Sequence, residues 1–297
     1  NQKDETPDEF KSMPPLDAGF PDEDLFDWYD AHGRDLPWRH RWPALAPVYH
    51  LWLSEIMLQQ TIVKTVIPYF LEFTGRWPTI EALAAAPVEE VLAAWAGLGY
   101  YARARNLHKT AKIIAAEYGG IFPADQKALL GLPGIGPYTA SAIMVMGYGQ
   151  PGVVVDGNIE RVMSRFFAIK TPLPTAKREI AAAYEQCRPT ARPSDFPQAL
   201  MDFANAVCTP KAPACGICPL ANACRGYADD IADQLPFKAP KKQKPTRRGV
   251  AFVAINQNGE AFLERRPDQG LLGGMVAFPS VGGTQTDWSD ADVQATN

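Results

Sequence analysis

No apolar run in the 297-residue sequence approaches the roughly twenty residues that span a bilayer, so no membrane helix is expected. A secretory leader is missing as well, since "NQKDETPDEF" offers neither a basic start nor an apolar stretch. A soluble, cytoplasmic protein is expected. There is no internal repeat, and cysteine is nearly confined to one stretch, with four of the five between residues 208 and 224. Positive charge is scarce at both ends. Residues 1–30 hold ten acids against Lys3 and Lys11, and residues 249–297 hold six acids against two arginines. The intervening 31–248 carry a net +8 inside an overall −4. A basic body between acidic ends suits a polyanionic partner.

The first 23 residues are rich in proline and acids and read as a disordered acidic tail. From residue 24 to about 226 the pattern is helical almost throughout, with runs such as "TIEALAAAPVEEVLAAWAGLG" broken by Gly and Pro. Residues 227–248 read as a linker whose later part, "PFKAPKKQKPTRR", is basic and has nothing to bury. The period then changes. "RGVAFVAINQNGEAFLERR" is a hairpin signal with Asn256-Gln257-Asn258-Gly259 as its turn, and the sequence stops about fifty residues into this β-rich part.

Within the helical region, "VYHLWLSEIMLQQT" (48–61) is an apolar helix with one carboxylate in its middle. Glu55 lies beside Leu51 and Trp52 on one side and Leu58 and Gln59 on the other. Such neighbours disfavour its ionised form and raise its pKa. A Glu that caps or salt-bridges at the edge of a core helix is the competing reading.

"CTPKAPACGICPLANAC" spaces its thiols as Cys208-x6-Cys215-x2-Cys218-x5-Cys224. Four thiols so close together form a metal site before they form a disulfide framework. Tetrahedral zinc stays open, while a single C-x-x-C in one loop favours an iron–sulfur cluster. Cys187 reads as a core or surface thiol.

"ALLGLPGIGPYTASAIM" (128–144) reads as helix, Gly-rich hairpin and second helix, opened by Pro137. Gly134 and Gly136 let backbone N–H groups face outward toward a phosphate. No Gly-Lys-Ser/Thr follows, which excludes a nucleotide P-loop. LPGIGxxTA is the helix–hairpin–helix pattern that grips DNA backbone without reading sequence.

This hairpin, "VVVDGNIERV" about twenty residues on, and then the cysteine loop together resemble the iron–sulfur branch of the DNA glycosylase superfamily. "LPWR" (36–39), "WLSEIMLQQT" (52–61) and "WAGLGYYARARNLHK" (95–109) resemble the adenine DNA glycosylases of the MutY type. The segment "HRWPALAPVYH" (40–50) departs from that pattern.

The resemblance implies a mainly α fold. Residues 24–226 would form a helix–hairpin–helix glycosylase domain of two helical subdomains, with a 4Fe–4S cluster on Cys208, Cys215, Cys218 and Cys224. Residues 249–297 would begin an incomplete α/β Nudix-like domain without the Nudix glutamates, and hence without pyrophosphate hydrolysis. Weaker discrimination of 8-oxoguanine from guanine is expected of this form.

The implied reaction is hydrolytic removal of adenine mispaired with 8-oxoguanine or guanine in double-stranded DNA, by a monomer. Glu55 would protonate the flipped adenine, and Asp156 would stabilise the sugar cation. Tyr138 and Asn158 would support them. Tyr138 stands where endonuclease-III-like lyases carry a lysine, so a Schiff base is not expected. Trp38, Arg39, Leu58 and Gln198 would line the adenine pocket, with Gln60, Thr61, Leu98 and Tyr100 on the 8-oxoguanine side. Gly134, Gly136, Arg103, Arg105 and Lys211 would meet the DNA backbone. An endonuclease-III-like enzyme for oxidised pyrimidines and a non-catalytic DNA-binding or redox-sensing module are the alternatives.

Overall fold

The computed structural model describes residues 19–240, 246, 248–267 and 273–284. Residues 1–18 of the tail expected over 1–23, the basic 241–245, and the stretch from 285 onward lie outside the described residues. The chain divides into a helical body ending at Ala239 and a second unit beginning at Pro240.

Two apolar cores organise the body. The first lies beneath α1 (Asp22–His32), α9 (Gly157–Phe166), α10 (Lys177–Cys187) and α11 (Asp195–Ala206). The second gathers α2 (Val48–Leu58), α3 (Val63–Arg76), α4 (Ile80–Ala85), α5 (Val88–Ala94), α6 (Ala102–Glu117), α7 (Gln126–Leu130) and α8 (Pro137–Ala142). Helix α2 belongs to both: Leu51 packs into the first core, and Trp52, Leu53, Ile56 and Met57 into the second. A helix apolar on nearly every side is stable only when buried all round. That requirement carries Glu55 to the seam between the two cores.

Several starts follow from local chemistry. Asp125 caps α7 by accepting from Ala128 N at 2.7 Å, and Pro137 opens α8 where its missing N–H costs nothing. Between them Gly134 takes φ +80°, and a Cβ there would sit 3.0 Å from Asn106 Cβ. A side chain would be strained by the backbone and crowded by its neighbour. Helix α8 runs on into a π-helical turn, Ile143–Gly147.

Two expected boundaries move. Phe20, expected in the tail, is buried against Phe166 and Phe196. The short helix α12 (Arg225–Ala228) crosses the expected boundary at 226, and residues 227–239, expected as linker, also belong to the body. Leu235 and Ala232 are buried there, and Leu173 N donates to Phe237 O at 2.8 Å. Composition alone does not reveal that this segment is packed on the body.

The second unit contains the expected turn. Asn256 Oδ1 accepts from Asn258 N and Glu260 N, Gly259 takes φ +83°, and Ile255 bridges antiparallel to Ala261. The strand pairs flank this turn rather than continue it. Strand β1 (Arg248–Ala251) pairs antiparallel with β4 (Ser280–Thr284), and β2 (Glu264–Arg265) with β3 (Val276–Ala277).

Candidate active site

A cleft of about 660 Å³ opens along the seam where α2 meets both cores. Glu55 from α2, Tyr138 from α8, and Asp156 and Asn158 at the start of α9 line it together. Trp38, Arg39, Leu58, Thr61 and Gln198 line the same cleft. Nine of the expected site residues, from five separate parts of the chain, thus meet in one space.

Glu55 is 9% exposed. Burial pushes its carboxyl up to about 7, and nearby Asp156 pushes the same way. A hydrogen bond from Tyr138 and the charge of Arg39 pull it down by less. Glu55 is therefore an acid that holds its proton into the neutral range and can give it up there. The Tyr138 phenol is driven well above its ordinary value by burial and by the two carboxylates, so it serves as a neutral donor.

Asp156 sits in another environment. Its Oδ1 accepts from Asn158 N at 3.0 Å and Ile159 N at 2.8 Å, and its Oδ2 accepts from Asn158 Nδ2 at 2.7 Å. These donors lie at the N-terminus of α9, where the backbone favours negative charge. One carboxyl sits in an apolar seam and the other on a helix N-terminus. Two carboxyls in contrasting environments thus line one cleft.

The family model described as "HhH-GPD superfamily base excision DNA repair protein" matches residues 53–189. The adenine DNA glycosylase of Buchnera aphidicola subsp. Baizongia pistaciae is 38% identical over 256 residues, covering 86% of this chain and 72% of that protein. The Mycolicibacterium smegmatis protein of the same name is 43% identical over 202 residues, 68% of each chain. The chain belongs to the adenine DNA glycosylase family. The human adenine DNA glycosylase is 37% identical over 309 residues, and the match spans 56% of its length. Among solved structures, a thermostable thymine-DNA glycosylase superposes with a TM-score of 0.61 at 29% identity, over 70% of this chain and 94% of that one. A trapped endonuclease III–DNA covalent intermediate gives 0.58 at 23% identity over the same shares, a likeness of fold.

The family's remaining expected contacts lie outside the cleft. Gln60 and Tyr100 are exposed at two turns, both with left-handed backbone, φ +59° and +47°. Leu98 was expected on the lesion side, yet it is buried in the second core, and Tyr100 is what its turn presents. Lys211 is exposed in the cysteine loop, and Gly134 and Gly136 lie in the hairpin before α8. Arg105 is half-buried on α6.

Arg103 differs from expectation. Read as a phosphate contact, it instead turns inward and joins two turns. Its Nη1 donates to Ile56 O, Met57 O and Gln59 O at 3.0, 2.8 and 2.6 Å. Its Nη2 donates to Thr61 Oγ1, Leu98 O and Gly99 O at 3.2, 2.8 and 3.2 Å. The open carbonyls at the end of α2 are a better partner for this guanidinium than solvent. Sequence position on a basic helix gave no sign of it.

Two further residues escaped the sequence reading. Arg34 lines the cleft, and buried Asp202 on α11 binds both Arg34 and Arg39. Asp202 carries a signal like that of Glu55, a carboxylate among apolar neighbours in mid-helix ("ALMDFANA").

The four clustered cysteines line a second, small apolar cavity with Val162, Phe166 and Phe203. Among the described residues no three metal-binding side chains converge on a single-ion position. Beside the thiols lies Arg165, 2% exposed, with Nη1 3.4 Å from Cys208 Sγ. The same Nη1 donates to Thr209 O at 2.7 Å, while Nε donates to Leu235 O at 3.0 Å and Nη2 to Pro210 O at 3.3 Å. A buried cation in contact with Cys208 suits a thiolate there. Cys187 lies apart, buried in the first core.

Proposed function

We propose that this protein excises adenine from DNA mispairs, chiefly adenine opposite 8-oxoguanine, by hydrolysis of the N-glycosidic bond. The observation that carries the reading is the pairing of Glu55, pushed up to about 7, with the helix-capping Asp156 across one cleft. Adenine leaves poorly unless its ring is protonated. A target base must also be extruded from the stack to reach the cleft, at a cost of a few kcal/mol. Once there, its ring faces a carboxylic acid poised to protonate N7.

Cleavage leaves positive charge on the sugar. Asp156 meets that charge with a carboxylate already fixed by three N–H donors, two on Oδ1 and one on Oδ2, so little reorganisation is needed. Tyr138 and Asn158 orient the reacting groups. The phenol cannot form a Schiff base, so water is the nucleophile and the strand stays intact. Gln60, Thr61 and Tyr100 would fill and hold the gap at the lesion. The hairpin amides at Gly134 and Gly136, with Lys211, would grip the phosphates. The endonuclease-III-like reading lacks its lysine here.

Cys208, Cys215, Cys218 and Cys224 would hold a 4Fe–4S cluster, with Arg165 as its buried counter-charge. When bound, the cluster supplies a rigid cross-link for the loop that presents Lys211, and the hydrolysis draws no electron from it. Single-turnover excision on duplexes with adenine opposite 8-oxoguanine, adenine opposite guanine, and thymine glycol tests the reading, with iron content measured alongside. Adenine release, lost in Glu55→Gln and followed by strand scission only after alkali, is the expected outcome. Direct nicking at thymine glycol would establish the bifunctional chemistry instead.

A further inference from the structure

Two arginines stand in the wall of a cleft whose chemistry depends on a protonated carboxyl. Arg39 and Arg34 both line that cleft, with Arg39 only 11% exposed along its side chain. An unmatched cation so near Glu55 would favour the carboxylate and strip the acid of its proton. The structure answers this with one residue. Asp202 Oδ2 accepts from Arg39 Nη1 at 2.7 Å and from the Arg34 backbone N at 2.7 Å. Its Oδ1 accepts from Arg34 Nε at 2.7 Å and lies 2.6 Å from Arg34 Nη2. The carboxylate is 2% exposed, so solvent screens it little. It sits one turn along α11 from Gln198, which also lines the cleft.

We propose that Asp202 is a positioning residue for base excision, holding Arg34 and Arg39 against the cleft wall and matching the charge of Arg39 so that Glu55 remains an acid. The inference rests on the adenine-excision reading for its activity arm alone.

Every other charged or titratable group around Glu55 leaves this role open. Tyr138 from α8 donates to Glu55, and Asp156 at the start of α9 raises it. Lys64 at the start of α3 lines the outer cleft, and Arg103 from α6 is engaged with carbonyls of α2. The π-helical turn Ile143–Gly147 brings no charge. Arg39 is therefore the cation whose charge bears on Glu55, and Asp202 is its partner.

The test compares Asp202→Asn and Asp202→Glu with the unaltered protein. Asp202→Asn keeps an acceptor of the same shape but removes the charge. The midpoint of the alkaline fall in excision rate should move down by about one pH unit, a loss of about tenfold at pH values above it, with the acid-side plateau less affected. Asp202→Glu should keep the midpoint. Combining Asp202→Asn with Arg39→Met should abolish the shift, because the cation is gone. A second arm needs no DNA: the Glu55 carboxyl is titrated by infrared difference against Glu55→Gln, and its midpoint should fall in Asp202→Asn. If that midpoint falls while the unaltered protein releases no adenine, the excision reading fails, while the matching of Arg39 by Asp202 that keeps Glu55 an acid stands. An unmoved midpoint in the DNA-free titration, or a rate loss equal at every pH, overturns the inference.

Discussion

Replacing Glu55 by Gln should destroy activity and, above neutral pH, make the protein more stable. In the unfolded chain the carboxyl ionises at its ordinary value of 4.5, and in the native state at about 7. Below 4.5 both states hold the proton and the two proteins are similar. Between those values the native state retains a proton that the unfolded chain has released, so rising pH removes stability. Above about 7 the whole penalty is present, and for a gap from 4.5 to about 7 it amounts to about 3 kcal/mol. Little screening reduces it, because Glu55 is 9% exposed. The substituted glutamine has no charge to bury and escapes the penalty. For a body of this size the gain at pH 8 should appear as a melting temperature higher by roughly 6–12 °C. Thermal or urea unfolding of both proteins at pH 4.5 and pH 8 makes the comparison, with the ionisations remote from Glu55 cancelling between them. A stability difference that is the same at both pH values would show that Glu55 ionises normally, and the acid role would go with it.

Two further outcomes follow from the geometry. Asp156→Asn keeps a side-chain oxygen for the α9 cap, so stability should change by only about 1 kcal/mol while single-turnover excision falls by orders of magnitude; a loss of rate matched by unfolding would contradict the separation of the two roles. Arg103→Lys cannot serve six acceptors, and leaving buried carbonyls unpaired should cost about 1–3 kcal/mol. Because it ties the turn of Gln60 to the turn of Tyr100, base extrusion read by 2-aminopurine fluorescence should weaken, and in a Tyr100→Ala background the same substitution should add little; a full additional effect there would separate Arg103 from that turn.

The sequence alone determined the parts whose information is local. An apolar helix interrupted by a single carboxylate, an Asp before a Gly-Asn-Ile-Glu helix start, a glycine hairpin before Pro137, and four thiols in one loop all follow from neighbours a few residues apart. Glu55 was legible for that reason, whereas Asp156 and Tyr138 stood out through the family resemblance, and the mainly helical character followed from helical periods broken by Gly and Pro. Whether they meet was not legible. Residues 38, 55, 138, 156 and 198 share a cleft only because α2 must be buried on both sides, which draws two separate cores against it. Arg103 shows the limit from the other direction. In sequence it is a basic residue on a helix and suits a phosphate, but in the tertiary structure unsatisfied carbonyls at the end of α2 lie within its reach and take its donors. Asp202 is the same lesson in charge. A carboxylate in an apolar helix announces that something must be paired with it, and only the packing of α11 against the loop of Arg34 and Arg39 decides what.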